Sequence, residues 1–161
     1  MKIGISVNDL IPSQLSYYLT KNINEKCSDS VDHDFVIFFE NLSGKIIEPN
    51  FGMMNTTEIW SFQGHLITTS ISTTLTAIKS MSPSEKYFYV WDLEWLRDRG
   101  KNFEYNIPAF IDKDIKLIAR SETHAKAIKN YCNRDVIGIV EDFNLDQLIG
   151  VIKENELCRT E

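Results

Sequence analysis

Phe35-Val36-Ile37-Phe38-Phe39 is apolar on both of the faces that an extended chain presents, and no other feature narrows the fold as much. A strand with one wet face alternates apolar and polar residues. A run without alternation belongs in a sheet covered on both sides, as parallel sheets are. Residues 3–7, 64–70, 87–91, 115–119 and 136–140 carry further short apolar or β-branched runs. Between them lie helix signals. Ser13 precedes Leu15, Tyr18, Leu19 and Ile23 at helical spacing. Ser72 precedes Leu75, Ile78 and Met81, and Ser82-Pro83-Ser84 stops that helix. Ser121 precedes Ala125, Ile128 and Cys132, and Asn144 precedes Leu148, Ile149 and Ile152. Ser and Asn at these places offer a side-chain oxygen to the first free amides of a helix. Gln147, three residues after Asn144, completes the pattern of a capping box.

A loop is expected over residues 41–50, which hold Ser43-Gly44 and Pro49-Asn50, and a short helix over 52–58. About six strands alternating with five helices predict parallel pairing, right-handed crossovers and helices on both faces. The expected fold is therefore α/β, a Rossmann-like three-layer sandwich with a mostly parallel sheet. One domain over residues 1–154 and a polar tail over 155–161 complete the expected organisation.

With 161 residues, 43% of them hydrophobic and 25% charged, the chain can bury a full core as one domain. The net charge of −6 disfavours a non-specific grip on nucleic acid, which needs clustered Lys and Arg. Cys27, Cys132 and Cys158 are widely spaced and form no CxxC, so neither a disulfide framework nor a zinc site is expected. A reducing cytoplasm fits that usage. The first seven residues turn polar too early for a secretory signal, and no apolar run is long enough to span a bilayer. No membrane association is expected.

In open parallel sheets, ligands bind beyond the carboxyl ends of the strands. Asn8 and Asp9, Glu40 and Asn41, Thr69 and Ser70, Asp92 and Glu94, Arg120 with Ser121 and Glu122, and Glu141 with Asp142 all fall there. Each reads either as an ordinary cap or turn residue or as part of a shared ligand rim. Trp91-Asp92-Leu93-Glu94-Trp95 packs two indoles and two carboxylates into five residues. Asp92, the first choice, or Glu94 could act as a general base, with Trp95 as a stacking platform. Alternatively both tryptophans are core and the carboxylates cap the next helix. His124, in the first turn of a helix, is a candidate ligand contact. His65, at the start of a strand, reads as structural. His33 sits between two Asp residues, which should favour its protonated form, and Asp32-His33-Asp34 are too close in sequence to converge on one metal. No metal site and no cofactor are expected. G-x-G-x-x-G, P-loop, G-x-S-x-G and H-E-x-x-H patterns are absent, which disfavours dinucleotide, phosphoryl-transfer and common hydrolase chemistry.

Ile115-Lys-Leu-Ile-Ala-Arg-Ser-Glu-Thr-His-Ala-Lys-Ala-Ile128 resembles the strand-to-helix step late in the N-terminal half of GT-B-type glycosyltransferases. Val136-Ile-Gly-Ile-Val-Glu-Asp-Phe-Asn-Leu145 resembles the strand and turn that lead to the interdomain linker of those enzymes. The opening Met1-Lys-Ile-Gly-Ile5 agrees. The whole chain is also similar to small proteins of tailed phages of cyanobacteria. The resemblance implies a glycosyltransferase-like domain, the acceptor-side half alone, with a nucleotide sugar as substrate and Asn8, Asp9, Asp92, Glu94, Ser121 and Glu122 around an acceptor cleft. A phage-encoded protein would work in the host cytoplasm. The alternative is a non-catalytic binding or assembly protein on the same fold, with a protein partner or a homodimer that buries Trp60 or Trp95.

Overall fold

The first five-residue strand is hydrogen-bonded on both sides by parallel neighbours, and the architecture spreads outward from it. The computed structural model describes residues 1–29, 32–44, 47–97 and 102–158. Its strands are, in chain order, β1 (Lys2–Ser6), β2 (Asp9–Leu10), β3 (Asp34–Phe39), β4 (Asn41–Leu42), β5 (Gly52–Asn55), β6 (His65–Thr68), β7 (Glu85–Val90), β8 (Ile115–Ala119) and β9 (Gly138–Ile139). The helices are α1 (Gln14–Asp29), α2 (Ile71–Lys79), α3 (Phe103–Asn106), α4 (Pro108–Ile111), α5 (Glu122–Cys132) and α6 (Leu145–Leu157). Seven strands form one sheet in the order β5-β3-β1-β6-β7-β8-β9, and every pairing in it is parallel. The chain builds outward from β1 to β5 on one side, then returns and builds from β6 to β9 on the other. That reversal is the strand order of a Rossmann-like sheet, with its switch point between β1 and β6.

Side-chain alternation divides the strands between two buried faces. Ile3, Ile5, Ile67, Tyr87, Tyr89 and Ile118 meet Leu19 and Ile23 of α1 and Leu148, Ile149 and Ile152 of α6. Phe88, Val90, Ile115 and Leu117 meet Ile71 of α2, Phe110 of α4 and Ile128 of α5. A smaller cluster joins Phe38 and Leu66 to Ile59 and Ala77. Gly138 lets α6 lie close over β9, because a Cβ there would sit 2.5 Å from Val151 Cγ2. None of the helices among the described residues is long and apolar enough to cross a membrane.

Several boundaries differ from the sequence reading. The helix expected over 52–58 is instead strand β5 followed by a 3-10 turn, Thr56–Ser61. Gly52 to Asn55 pair with the free edge of β3, and Asn55 then caps the turn through Thr57 N. The loop over 41–50 begins with a ladder, since Asn41 and Leu42 pair with Asp9 and Leu10. Ser70, rather than Ser72, caps α2, in a reciprocal box with Thr73. The last strand shrinks to Gly138–Ile139. Helix α6 runs to Leu157, so residues 155–157, read as tail, are helical.

Ile5 is fully buried where β1 meets both α1 and α6. Ile5→Ala should lower the unfolding free energy by about 2–5 kcal/mol, measured by urea denaturation. A loss under about 1 kcal/mol would mean that β1 is not the centre of the packed sheet.

Candidate functional site at the carboxyl rim of the sheet

Because all seven strands run the same way, the residues after each strand reach one edge. Neighbouring strands lie about 4.8 Å apart, so the segments after β1 and β7 are separated by about 10 Å. Asn8, Asp9 and Asn41 come together directly. Asn8 O accepts from Glu40 N at 2.9 Å and Asn41 N at 3.3 Å, and Asp9 Oδ1 accepts from Asn41 Nδ2 at 2.8 Å. Across the switch point, Ser72 Oγ donates to Asn8 Oδ1 at 2.7 Å, and Thr69 Oγ1 donates to Ser6 O at 2.9 Å. The N-terminus of α2 carries the chain's own acid: Ile71 N donates to Glu94 Oε1 at 3.0 Å. Helix N-termini favour anions because their free amides and dipole point that way. Glu94 therefore stabilises α2 from a segment that follows β7, and it does not cap the turn in which it sits.

The other residues of that aromatic and acidic segment have separate environments. Asp92 pairs with the Arg97 guanidinium, and both side chains remain substantially exposed, so the pair contributes at most about 1 kcal/mol. Trp95 is buried; its ring stacks on Tyr131 at 4.4 Å and meets the Phe110 ring edge at 5.1 Å. A ligand has no open face of Trp95 to use. The partly exposed indole is Trp91, and Arg120 lies over its ring with Cζ 3.9 Å from the centroid. Arg120 Nη2 also donates to Asp142 Oδ1 at 2.7 Å.

Asp142 belongs to the 3-10 turn Glu141–Phe143, where the backbone departs from ordinary geometry. Asp142 has φ 43° and Phe143 has φ 59°, two consecutive left-handed residues without glycine. Each costs on the order of 1–3 kcal/mol and persists only where its surroundings impose it. Three groups do so here. Asn22 Nδ2, from α1, donates to Asp142 O at 3.0 Å and to Phe143 O at 2.9 Å. The buried Tyr89 hydroxyl donates to Val140 O at 2.7 Å and accepts from Phe143 N at 3.3 Å. Burial pushes that phenol up to about 12, so it keeps its proton at any ordinary pH. Arg120 holds the Asp142 carboxylate from the other side. Gln147, expected to return to the cap residue Asn144, instead accepts from Glu141 N at 2.8 Å and ties the start of α6 to the turn.

Arg120, Ser121, His124, Glu141 and Asp142 line a shallow depression beside Trp91. Ser121 caps α5, accepting from His124 N at 3.2 Å. His124 is half-buried, and its Nδ1 has no hydrogen-bond partner among the described residues. Glu122 is exposed in the first turn of α5. The depression thus presents a cation, two carboxylates, a hydroxyl and an imidazole next to an aromatic ring. Such a set suits hydrogen bonding to hydroxyl-rich ligands.

The sequence placed Asn8, Asp9, Asn41, Asp92, Glu94, Ser121 and Glu122 after the strand ends and His124 in the first turn of a helix, and all of them lie on this side of the sheet. It gave no particular role to Trp91, Arg120 or Asp142, and none at all to Asn22 or Tyr89. His33 runs opposite to expectation, since burial and the Met1 amine lower its pKa despite the adjacent acids. No family model matches the chain, and no curated protein matches it.

Tyr89→Phe would leave Val140 O and Phe143 N without their buried partner. The substitution should cost about 1–3 kcal/mol in urea denaturation at neutral pH. An unchanged midpoint would show that the hydroxyl does not hold the turn.

Proposed function

We propose that the chain is a glycosyltransferase-like domain that binds a sugar acceptor at the carboxyl rim of its sheet and performs no transfer by itself. The observation that carries this reading is the Trp91–Arg120–Asp142 stack, fixed by a doubly left-handed turn beside the N-terminus of α5. Strain of this kind gathers where a fold must present groups in one geometry. Polyols suit such a place because carboxylates accept from their hydroxyls while a guanidinium donates to them.

The proposed inactivity rests on the two candidate bases. Glu94 is committed to the N-terminus of α2, and Asp92 is paired with Arg97. A nucleotide sugar enters this account as a substrate that another domain or chain would deliver. A phage origin is part of this proposal, drawn from the sequence resemblance alone, and it would place the protein in the cytoplasm of a host cell.

A second reading, a non-catalytic assembly protein, draws on one observation. Trp60 and Met81 are 52% and 91% exposed, and Ser82 Oγ, next to Met81, donates to Trp60 O. A homodimer or protein partner would bury them.

Saturation-transfer NMR with methyl glucoside, methyl galactoside and UDP-glucose tests the proposal. Binding of at least one glycoside is expected, with Trp91→Ala and Arg120→Ala each weakening it about tenfold or more, and no UDP release from UDP-glucose. No binding to any probe, or binding that both variants retain in full, would refute the sugar reading. A clean dimer that Trp60→Ala dissociates would then favour the assembly protein.

A further inference from the structure

The opposite pole of the sheet holds a polar cluster that the rim does not use. On the face covered by α6, the apolar core ends and a layer of ionisable groups begins. Register and alternation put His65, Glu85, Tyr87 and Lys116 on that face, at the amino ends of β6, β7 and β8. His65 is 9% exposed, and Tyr87 is fully buried. Lys116 pairs with Glu85, and its Nζ lies 5.3 Å from the centre of the Tyr87 ring. Helix α6 supplies Asn155 and Glu156 above them. Ile152 is the last α6 residue in the buried core, and of the next turn Asn155 and Glu156 reach this layer. There His65 Nε2 lies 3.2 Å from Glu156 Oε1. His65 Nδ1 is shielded from solvent without a hydrogen-bond partner among the described residues, while the shielded Tyr87 hydroxyl interacts with the Asn155 side chain.

We propose that His65 and Glu156 form an acid-sensitive latch that pins the last turn of α6 to the sheet. At neutral pH the imidazole is uncharged, and its Nε2–H donates to the Glu156 carboxylate. The proton on Nε2 leaves Nδ1 as an acceptor inside the layer. Adding a second proton turns Nδ1 into a donor with nothing to receive it and places a charge in a shielded site. The groups facing the ring decide the balance. Glu156, from α6, favours the cation. Lys116, from β8, and the Met1 amine, at the start of β1, oppose it. Glu85, the ladder neighbour on β7, is already held by Lys116, and the Tyr87 phenol stays neutral, pushed up to about 12 by burial. Lys2 and Lys86 alternate to the other face. Burial is the largest influence, and it lowers the His65 pKa below its ordinary 6.5.

The sign follows from linkage. The unfolded or unlatched imidazole takes its proton first as pH falls. The latch is therefore complete above about 6.5 and is lost as pH drops through the lower folded value. Opening lets water reach the ring and frees Glu156 with the helix end.

Hydrogen exchange of the amides of residues 153–157, corrected for intrinsic pH dependence, tests the latch on the full chain. Protection should fall about fivefold or more between pH 7.5 and 5.0, while amides of β1 change little. His65→Gln keeps a donor for Glu156 without the titration, and it should abolish the pH dependence. Glu156→Gln serves as the second variant, and it should lower protection already at pH 7.5. Protection that is flat with pH in the natural chain would overturn the proposal. So would an equal pH response in His65→Gln, or a His65 NMR titration centred above 6.5.

Discussion

The ladder of β1 against β3 on one side and β6 on the other is the constraint on which the rest depends. Once those two pairings are parallel, every later strand is added outward from a fixed centre. Parallel pairing forces each connection to cross back over a face, and the crossovers supply the helices that bury both faces. Ile3 and Ile5 then sit between α1 and α6, the helices nearest the two ends of the chain. The same direction rule brings every strand's following residue to one edge. A rim exists because the sheet is parallel, whatever that rim binds.

At the rim, the chain spends its own groups where other folds leave openings. The N-terminus of α2 is filled by Glu94, and that of α5 is capped by Ser121. Ordered chemistry is left to the far side, where β7, β8 and β9 end. There the left-handed Asp142 and Phe143 are held by α1 through Asn22, by the sheet through Tyr89, and by Arg120, which follows β8. Three separate parts of the chain converge on these two residues. Such over-determination offsets the backbone cost and makes the Arg120–Asp142 geometry a property of the whole fold. Because α6 begins just after this turn and ends at His65, one helix spans the distance from the rim to the opposite polar layer.

The layered architecture was legible in the sequence because it follows from local pattern. The unalternating run before Glu40 and the strand from Ile115 to Ala119 announce buried parallel strands. Ser121 and Asn144 cap the helices at the residues where they were expected to. What stayed hidden depends on contacts far apart in the chain. Residues 52–55 are Gly-Met-Met-Asn, without a β-branched or aromatic residue, and they become a strand because β3 offers an unpaired edge. Glu94 looks like a local cap and serves a helix 23 residues earlier. Trp91 and Trp95 look equivalent in sequence, yet Phe110 and Tyr131 bury one while Arg120 covers the other. Asn22 reads as one more polar helix position, and its 120-residue reach to the turn has no local signature.

The central claim is that the groups after β7, β8 and β9 act together as one ligand surface. Mapping backbone amide shifts during titration with methyl glycosides tests it most directly. The account predicts contiguous perturbation at Trp91, Arg120, Ser121, His124, Glu141 and Asp142, with the amides around Trp60 and His65 unmoved. Shifts scattered over both poles, or confined to the Trp60 and Met81 patch, would contradict it.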